Sequence, residues 1–226
     1  MAHVLSRDEM EEITLQDIHD MCREVYDSIW GQADEYDRDV KVYLHWTAGL
    51  YTQFWDDYNI QIDYDGKIYK PIDTALDDPV NGTWKRNTGS VNVSLLCCAG
   101  ANTNDLGVRA PTAAQLESLY MVTAVLCNAL DLTPDIKHVM THGEAADNED
   151  GYYGAYDEDD EYGPKADCER WDLEFLETDE SPEYDPWNDE TRGGTIIRGK
   201  AAWYNNYYDN KVYEYFNNSA DKIKSK

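Results

Sequence analysis

The stretch from residue 58 to residue 69 constrains the fold most, because it predicts a β-hairpin. Two runs of alternating apolar and polar residues flank the pair Asp65-Gly66. An Asp-Gly pair in that setting is the strongest short-range indication of a tight hairpin turn. The chain is therefore expected to contain at least one antiparallel pair of strands.

Further strand patterns lie on both sides of this hairpin. Alternation over residues 40–45 predicts a strand with one buried face, with His45 on the opposite face at its end. Two more strands are expected at residues 90–97 and 136–141, and His142 terminates the second of them. Strand ends carrying histidine thus occur at two separate places in the chain.

Two helical patterns complete the outline. Residues 14–30 predict an amphipathic helix, because Thr14 and Asp17 form a capping-box-like start. Residues 112–130 predict a second helix with its own capping box and one apolar stripe. The order strand, hairpin, strand, helix, strand predicts an α/β fold with a mixed central β-sheet and helices packed on it.

Composition shifts divide the chain. Residues 143–168 are dominated by Gly, Tyr and acidic residues, which predicts an acidic inserted loop. Pro and acidic residues after position 176 indicate a linker, followed by an aromatic tail whose rings recur four residues apart, as in a docked helix. We expect one domain over residues 1–176, and a linker with an aromatic C-terminal extension over residues 177–226.

The net charge limits the partners. A formal charge of −27 repels nucleic-acid phosphates and anionic lipid surfaces. No stretch approaches a membrane span, and the first residues lack the apolar core of a signal peptide. The five cysteines form no disulfide or metal-knuckle pattern, which indicates reduced thiols. We expect a cytoplasmically made protein with no nucleic-acid partner and no membrane insertion.

Two histidines at strand ends are a candidate metal site. A zinc site requires imidazoles that converge to about 2.0–2.1 Å from one ion. His45 and His142 are the candidates, and a third ligand is expected from a nearby loop, with a fourth position left for water. Spacing alone leaves Asp172, Asp167 and Cys168 open as that third ligand.

Several segments around these residues match, in order, the segments of a known family. The matching segments are residues 44–49 around His45, 58–68 from Tyr58 onward, 87–95, 110–115, Thr141-His142-Gly143-Glu144, and Cys168-Glu169-Arg170-Trp171-Asp172-Leu173. In this combination the chain resembles the type 2 N-acetylmuramoyl-L-alanine amidase family, which includes phage amidase-lysins and peptidoglycan recognition proteins. The resemblance implies the amidase fold over about residues 40–176.

The resemblance also implies a zinc ion bound by His45, His142 and a third ligand. Asp172 matches that ligand best, because Arg170 precedes it in the family's pattern of a basic residue, any residue, then the ligand. Asp167 has a basic residue at the same spacing and ranks second. We therefore expect His45, His142 and Asp172 to hold the metal.

Catalytic roles follow from the same resemblance. Tyr58 and Arg170 would stabilise the oxyanion formed during amide hydrolysis, and Tyr58 or Glu144 would carry the proton to the leaving amine. Each residue also has a structural alternative. Tyr58 would pack on the sheet, Arg170 would pair with the acidic loop, and Glu144 would support a ligand histidine.

The chain departs from the family pattern at two places. A catalytic glutamate that one branch carries is missing from the strand at residues 91–98. A family histidine near residues 82–84 is also missing, and Gly82, Thr83 and Trp84 stand there instead.

The resemblance predicts zinc-dependent hydrolysis of the amide bond between N-acetylmuramic acid and L-alanine, as in cell-wall lysis by phages or prophages. The expected partner is peptidoglycan, through both its glycan and its stem peptide. The alternative is a non-catalytic peptidoglycan-binding module with the same fold. Made in the bacterial cytoplasm without a signal peptide, the protein would reach the wall through a holin or an injection system.

Overall fold

The computed structural model describes residues 3–151, 163–166, 170–219 and 221. The strands are β1 (Val4–Leu5), β2 (Met10–Ile13), β3 (Lys41–Trp46), β4 (Phe54–Trp55), β5 (Ile60–Ile62), β6 (Ile68–Pro71), β7 (Ser90–Leu95) and β8 (Val139–Thr141). The α-helices are α1 (Leu15–Glu24), α2 (Tyr26–Asp34), α3 (Ala113–Ala129), α4 (His142–Ala146), α5 (Gly193–Tyr207) and α6 (Val212–Tyr215).

The main sheet is mixed. Within the described residues it has six strands in the order β2-β6-β5-β7-β3-β8. The neighbours β5, β7, β3 and β8 run parallel to one another, whereas β6 is antiparallel to both of its neighbours, β5 and β2. Helix α3 packs against α1 and α5. The predicted α/β class, a mixed central sheet with helices packed on it, is confirmed.

Patterns that depend on nearby residues predicted the structure correctly. Strands β5 and β6 form the hairpin, and Gly66 occupies its turn with a φ of 79°. The side chain of Thr14 accepts from the backbone N–H of Asp17 at the start of α1, and Thr112 accepts in the same way from Gln115 at the start of α3. These interactions are set within a few residues, so no tertiary contact is needed to specify them.

Other patterns were incomplete. The helix predicted over residues 14–30 is two helices, because Val25 leaves the helical conformation at φ −94° and ψ 5° between α1 and α2. The strand predicted with one buried face is buried on both, since all six residues of β3 are buried. Strand β2, which pairs with β6, was not predicted.

The region predicted as an acidic loop begins with a buried helix. His142 directly follows β8 and is the first residue of α4. Residues 152–162 and 167–169, including the acidic run at 157–161, lie outside the described residues. The shape and role of the acidic insertion therefore stay predictions.

The aromatic tail contributes to the main core. Helix α5 packs along α3, and Ile197, Ala201 and Tyr204 belong to the same apolar cluster as the core residues of α3. The rings of Trp203 and Tyr207 stack with centroids 5.0 Å apart. The predicted docked helix is confirmed, whereas the domain boundary after residue 176 stays a prediction. Among the described residues, no helix is long and apolar enough to cross a membrane.

Replacing Gly66 with alanine should destabilise the protein by about 3 kcal/mol, because strain and a clash coincide there. An added Cβ would lie 2.7 Å from the backbone oxygen of Ala114. The matched control is Gly100→Ala, which has a similar φ of 81° but no atom within 4 Å of the new Cβ. Urea unfolding measures both variants. Equal losses of unfolding free energy in the two variants would mean that the close approach of the hairpin turn to α3 does not add to the cost of Gly66→Ala.

Candidate metal centre

The two candidate histidines lie at the same edge of the sheet. Strands β3 and β8 are parallel, and Leu44 is paired with Thr141, so the residues that follow each of them are neighbours. His45 is fully buried, and His142 is 6% exposed. Carboxyl ends of adjacent parallel strands meet at one edge, which explains why residues far apart in sequence come together here.

Asp172 reaches this edge through the packing of the residue before it. The ring of Trp171 packs edge-on against Trp46, the last residue of β3, with centroids 4.7 Å apart. It also stacks on Phe175. Asp172 is 7% exposed, so its carboxylate is buried beside the histidines. The aromatic contact thus fixes the segment that carries Asp172 against β3.

The three side chains present converging atoms. The Nδ1 atoms of His45 and His142 are 3.1 Å apart. Oδ2 of Asp172 lies 3.8 Å from Nδ1 of His45 and 3.7 Å from Nδ1 of His142. Ligand atoms about 2.0–2.1 Å from one tetrahedral zinc ion are about 3.3 Å from each other. The group therefore has both the donor chemistry and the spacing of a zinc site.

Protonation also favours metal binding. Burial raises the pKa of the Asp172 carboxyl, but the imidazoles of His142 and His45, with Nδ1 atoms 3.7 and 3.8 Å away, outweigh this and hold the pKa well below its usual range. Burial lowers the pKa of the His142 imidazole, although Asp172 opposes the shift. An ionised carboxylate and a neutral imidazole are the forms that bind zinc.

Two of the candidate ligands, His142 and Asp172, line a cleft of about 430 Å³, and His45 is fully buried next to them. Residues that line it include His142, Asp172, Tyr58, Arg170, Asp57 and Trp171. The ring of Tyr58 lies over His45, with centroids 5.1 Å apart. Burial, followed by the charges of Asp172 and Asp57, raises the pKa of the Tyr58 phenol. Tyr58 therefore keeps its proton near neutral pH.

Asp57 was not predicted as a site residue. It lines the cleft beside Tyr58, and burial and the neighbouring Asp56 raise its pKa. No motif in the sequence distinguishes it from other acidic residues in this very acidic chain. Only its position next to Tyr58 would have drawn attention to it.

Glu144 lies behind the site. Its carboxylate accepts from Arg198, with Nη1 to Oε2 at 2.7 Å and Nη2 to Oε1 at 2.9 Å, and from the backbone N–H of Thr141. It is 1% exposed and is not among the described residues lining the cleft. This arrangement matches the alternative that Glu144 supports the segment around His142.

Arg192 joins three carboxylates behind Asp172. Its guanidinium donates to Glu174 at 2.8 and 2.9 Å and to Glu149 at 2.8 Å, and it lies 3.4 Å from Asp147. Burial raises the pKa of Glu174 to about 7, although Arg192 opposes the shift. Because Glu174 is close to Asp172 in sequence, this network ties the segment carrying the candidate ligand to α4 and α5.

The remaining third-ligand candidates, Asp167 and Cys168, lie outside the described residues. A larger cavity of about 550 Å³ lies between α3 and α5 and includes Tyr120, Trp203 and Tyr204 in its lining. Its described lining contains none of the converging ligand atoms. The candidate chemistry therefore belongs to the smaller cleft.

Comparisons with known proteins give one distant structural match. No family model matches the chain, and no curated protein sequence matches it. Among solved structures, the endolysin N-acetylmuramoyl-L-alanine amidase LysCS from Clostridium intestinale URNW matches with a TM-score of 0.34 and 17% identity. The match covers 47% of this chain and 71% of that one. A similarity this low carries no argument about what this chain does.

Proposed function

We propose that the protein is a zinc-dependent N-acetylmuramoyl-L-alanine amidase that hydrolyses the bond between N-acetylmuramic acid and L-alanine in peptidoglycan. The observation that carries the proposal is the convergence of His45, His142 and Asp172, of which His142 and Asp172 line a cleft. The motifs around these residues, which resemble the type 2 amidases, supply the substrate class.

The donor set suits zinc, because two imidazoles and one carboxylate are a common catalytic ligand set that leaves a position open. His45, His142 and Asp172 would hold the ion. When bound, zinc supplies a Lewis acid and a water acidic enough to be a nucleophile near neutral pH.

The chain's own groups would manage charge and protons. Tyr58, protonated and facing the cleft, would donate a hydrogen bond to the substrate oxygen on which negative charge develops. Arg170 is exposed at the same cleft and would add positive charge there. We assign proton delivery to the leaving amine to Tyr58 and not to Glu144, because the Glu144 carboxylate is engaged by Arg198. The attacking water would lose its proton to the resulting phenolate, which restores the phenol.

Tyr58→Phe should lower kcat by about 100-fold, as expected when a positioned proton donor is removed. Zinc affinity and the free energy of unfolding should change little, because the ring remains. Tyr64→Phe is the matched control, since Tyr64 is 47% exposed and does not line the cleft. Equal kcat values for Tyr58→Phe and the wild type would remove Tyr58 from the mechanism.

Product analysis tests the proposal. Zinc-loaded protein is incubated with purified peptidoglycan, and new amino termini and new reducing sugar ends are measured separately. We expect amino-terminal L-alanine to appear, no new reducing ends, and loss of both zinc and activity after chelation. Binding to peptidoglycan without any product would instead support the non-catalytic binding module.

The place of action follows from the substrate and is part of the same proposal. A peptidoglycan amidase acts at the bacterial cell wall, so the protein would have to reach the wall from the cytoplasm. Release through a holin or an injection system is the route we propose. Lysis by co-expression with a holin, and none without it, would support that route.

A further inference from the structure

A chain of buried polar groups lies at the Nε2 side of the His45 ring. Nε2 of His45 is 2.9 Å from Oδ1 of Asn92 on the neighbouring strand β7. The hydroxyl of Thr83 donates to the same Oδ1 at 2.9 Å. His45, Asn92 and Thr83 are all fully buried. Buried polar side chains are costly unless they are hydrogen-bonded, so this grouping needs an explanation.

The partner atom determines the tautomer of His45. A side-chain amide oxygen only accepts hydrogen bonds, so this contact requires the proton of a neutral His45 imidazole to be on Nε2. The Thr83 hydroxyl is also 3.3 Å from Nε2, but its proton is donated to Asn92 and is not available to the ring. Nδ1 then carries a lone pair, and Nδ1 is the atom that faces His142 and Asp172. The hydrogen bond on one side of the ring thus prepares the other side for a metal.

Asn92 is itself held in place. Its backbone N–H donates to Oδ1 of Asn59 at 2.8 Å, and the Asn59 amide in turn donates to backbone oxygens of Ala75 and Asp78. A Cβ on Gly82 would lie 2.4 Å from Oδ1 of Asn92, so only glycine leaves room for that oxygen. The acceptor is therefore fixed in position before any ligand binds.

This contact gives a role to one of the chain's departures from the amidase pattern. The resemblance leads us to expect a histidine near residues 82–84, where Gly82 and Thr83 stand. In the structure the Thr83 hydroxyl donates to Oδ1 of Asn92, and Gly82, which has no Cβ, leaves room for the same oxygen. The segment is thus built around Asn92.

We propose that Asn92, oriented by Thr83, is a positioning residue that fixes His45 as the Nε2-protonated tautomer and so sets the metal affinity of the site. This inference rests on the proposed zinc site. Asn92 would act through His45 and would not touch the substrate. Outer-shell partners of this kind are typically worth 10–100-fold in metal affinity.

The test combines tautomer state and metal affinity. Nitrogen-15 NMR of histidine-labelled, metal-free protein reads the protonated ring nitrogen directly, with His45→Asn identifying the resonance. Chelator competition gives the zinc dissociation constant. We expect Nε2 protonation in the wild type, a shifted tautomer equilibrium in Asn92→Leu, and about 10–100-fold weaker zinc binding in that variant.

Conservative variants separate positioning from folding. Asn92→Asp keeps an acceptor and should restore Nε2 protonation and most of the affinity. Thr83→Val, which keeps the shape but loses the hydroxyl, should weaken zinc binding by a smaller factor than Asn92→Leu. Thr83→Ser, which keeps the hydroxyl, should leave zinc binding unchanged. Asn205→Leu is the matched control, because the amide of Asn205 is buried and donates to Ala124 on α3, outside the cleft.

The outcomes are distinguishable. Zinc binding by the wild type with an unchanged dissociation constant in Asn92→Leu would overturn the positioning role and leave the metal site standing. Nδ1 protonation of His45 in the metal-free wild type would also overturn it. Nε2 protonation without any zinc binding would overturn the proposed function, and with it the purpose assigned to Asn92.

Discussion

Asp172→Ala should weaken zinc binding by more than the 10–100-fold that is typical of losing an outer-shell partner, and should reduce amide hydrolysis to background. The physical reason is that the substitution removes one of the three proposed protein ligands, and the only anionic one, from a buried site. Two neutral imidazoles then hold the ion weakly. Equilibrium dialysis of zinc and the release of amino-terminal L-alanine measure the two effects.

The controls for this prediction come from the same segment. Asp167→Ala and Cys168→Ser remove the two alternative third ligands and should leave zinc binding nearly unchanged. Circular dichroism of the metal-free variants checks that each is folded. If Asp167→Ala or Cys168→Ser loses zinc while Asp172→Ala retains it, the third ligand is Asp167 or Cys168, whichever substitution causes the loss.

Arg192→Met should lower the free energy of unfolding by about 3–5 kcal/mol, because breaking a buried ion pair leaves its carboxylates without a counter-charge. Arg192 is 2% exposed and contacts Glu174, Glu149 and Asp147. The matched control is Lys200→Met, which removes an exposed pair with Glu180 and should cost at most about 1 kcal/mol. Urea unfolding compares the two.

The loss in Arg192→Met should also grow with pH. The pKa of Glu174 is raised to about 7 in the folded protein, so its protonated form is favoured by folding. The stability that this protonation contributes is fully present below about pH 4.5, the pKa of Glu174 in the unfolded chain, and is lost as the pH rises through about 7. Without the charge of Arg192, the ionised carboxylate of Glu174 is stabilised even less. Equal losses at about pH 5.5 and about pH 8 would contradict this account of the network.

The parts of the fold that could be predicted are those encoded locally. The pair Asp65-Gly66 and the capping residues Thr14 and Thr112 act on atoms a few residues away, and each formed the predicted element. Val25 was misjudged, because a helical apolar pattern continues across it although the backbone does not. Burial of both faces of β3 depends on neighbouring strands and helices, which alternation within one strand does not reveal.

The site divides in the same way. The motifs around His45, His142 and Asp172 were visible in the sequence, and the structure brings these three residues together. Asn92 was not singled out, because its proposed role depends on the pairing between β3 and β7 and on the loop that carries Thr83. Polar residues alternate with apolar ones through β7, so the pattern does not distinguish Asn92 from Ser90 and Ser94. Likewise, the ion pair between Glu144 and Arg198 joins residues far apart in sequence.

Diffraction at the zinc absorption edge from crystals of the zinc-loaded protein would locate the ion and its ligands. We predict one anomalous peak about 2.0–2.2 Å from Nδ1 of His45, Nδ1 of His142 and a carboxylate oxygen of Asp172. A peak bound by His45 and His142 with Asp167 or Cys168, and with Asp172 turned away, would contradict the assigned ligand set. No peak between the two histidines would contradict the metal centre itself.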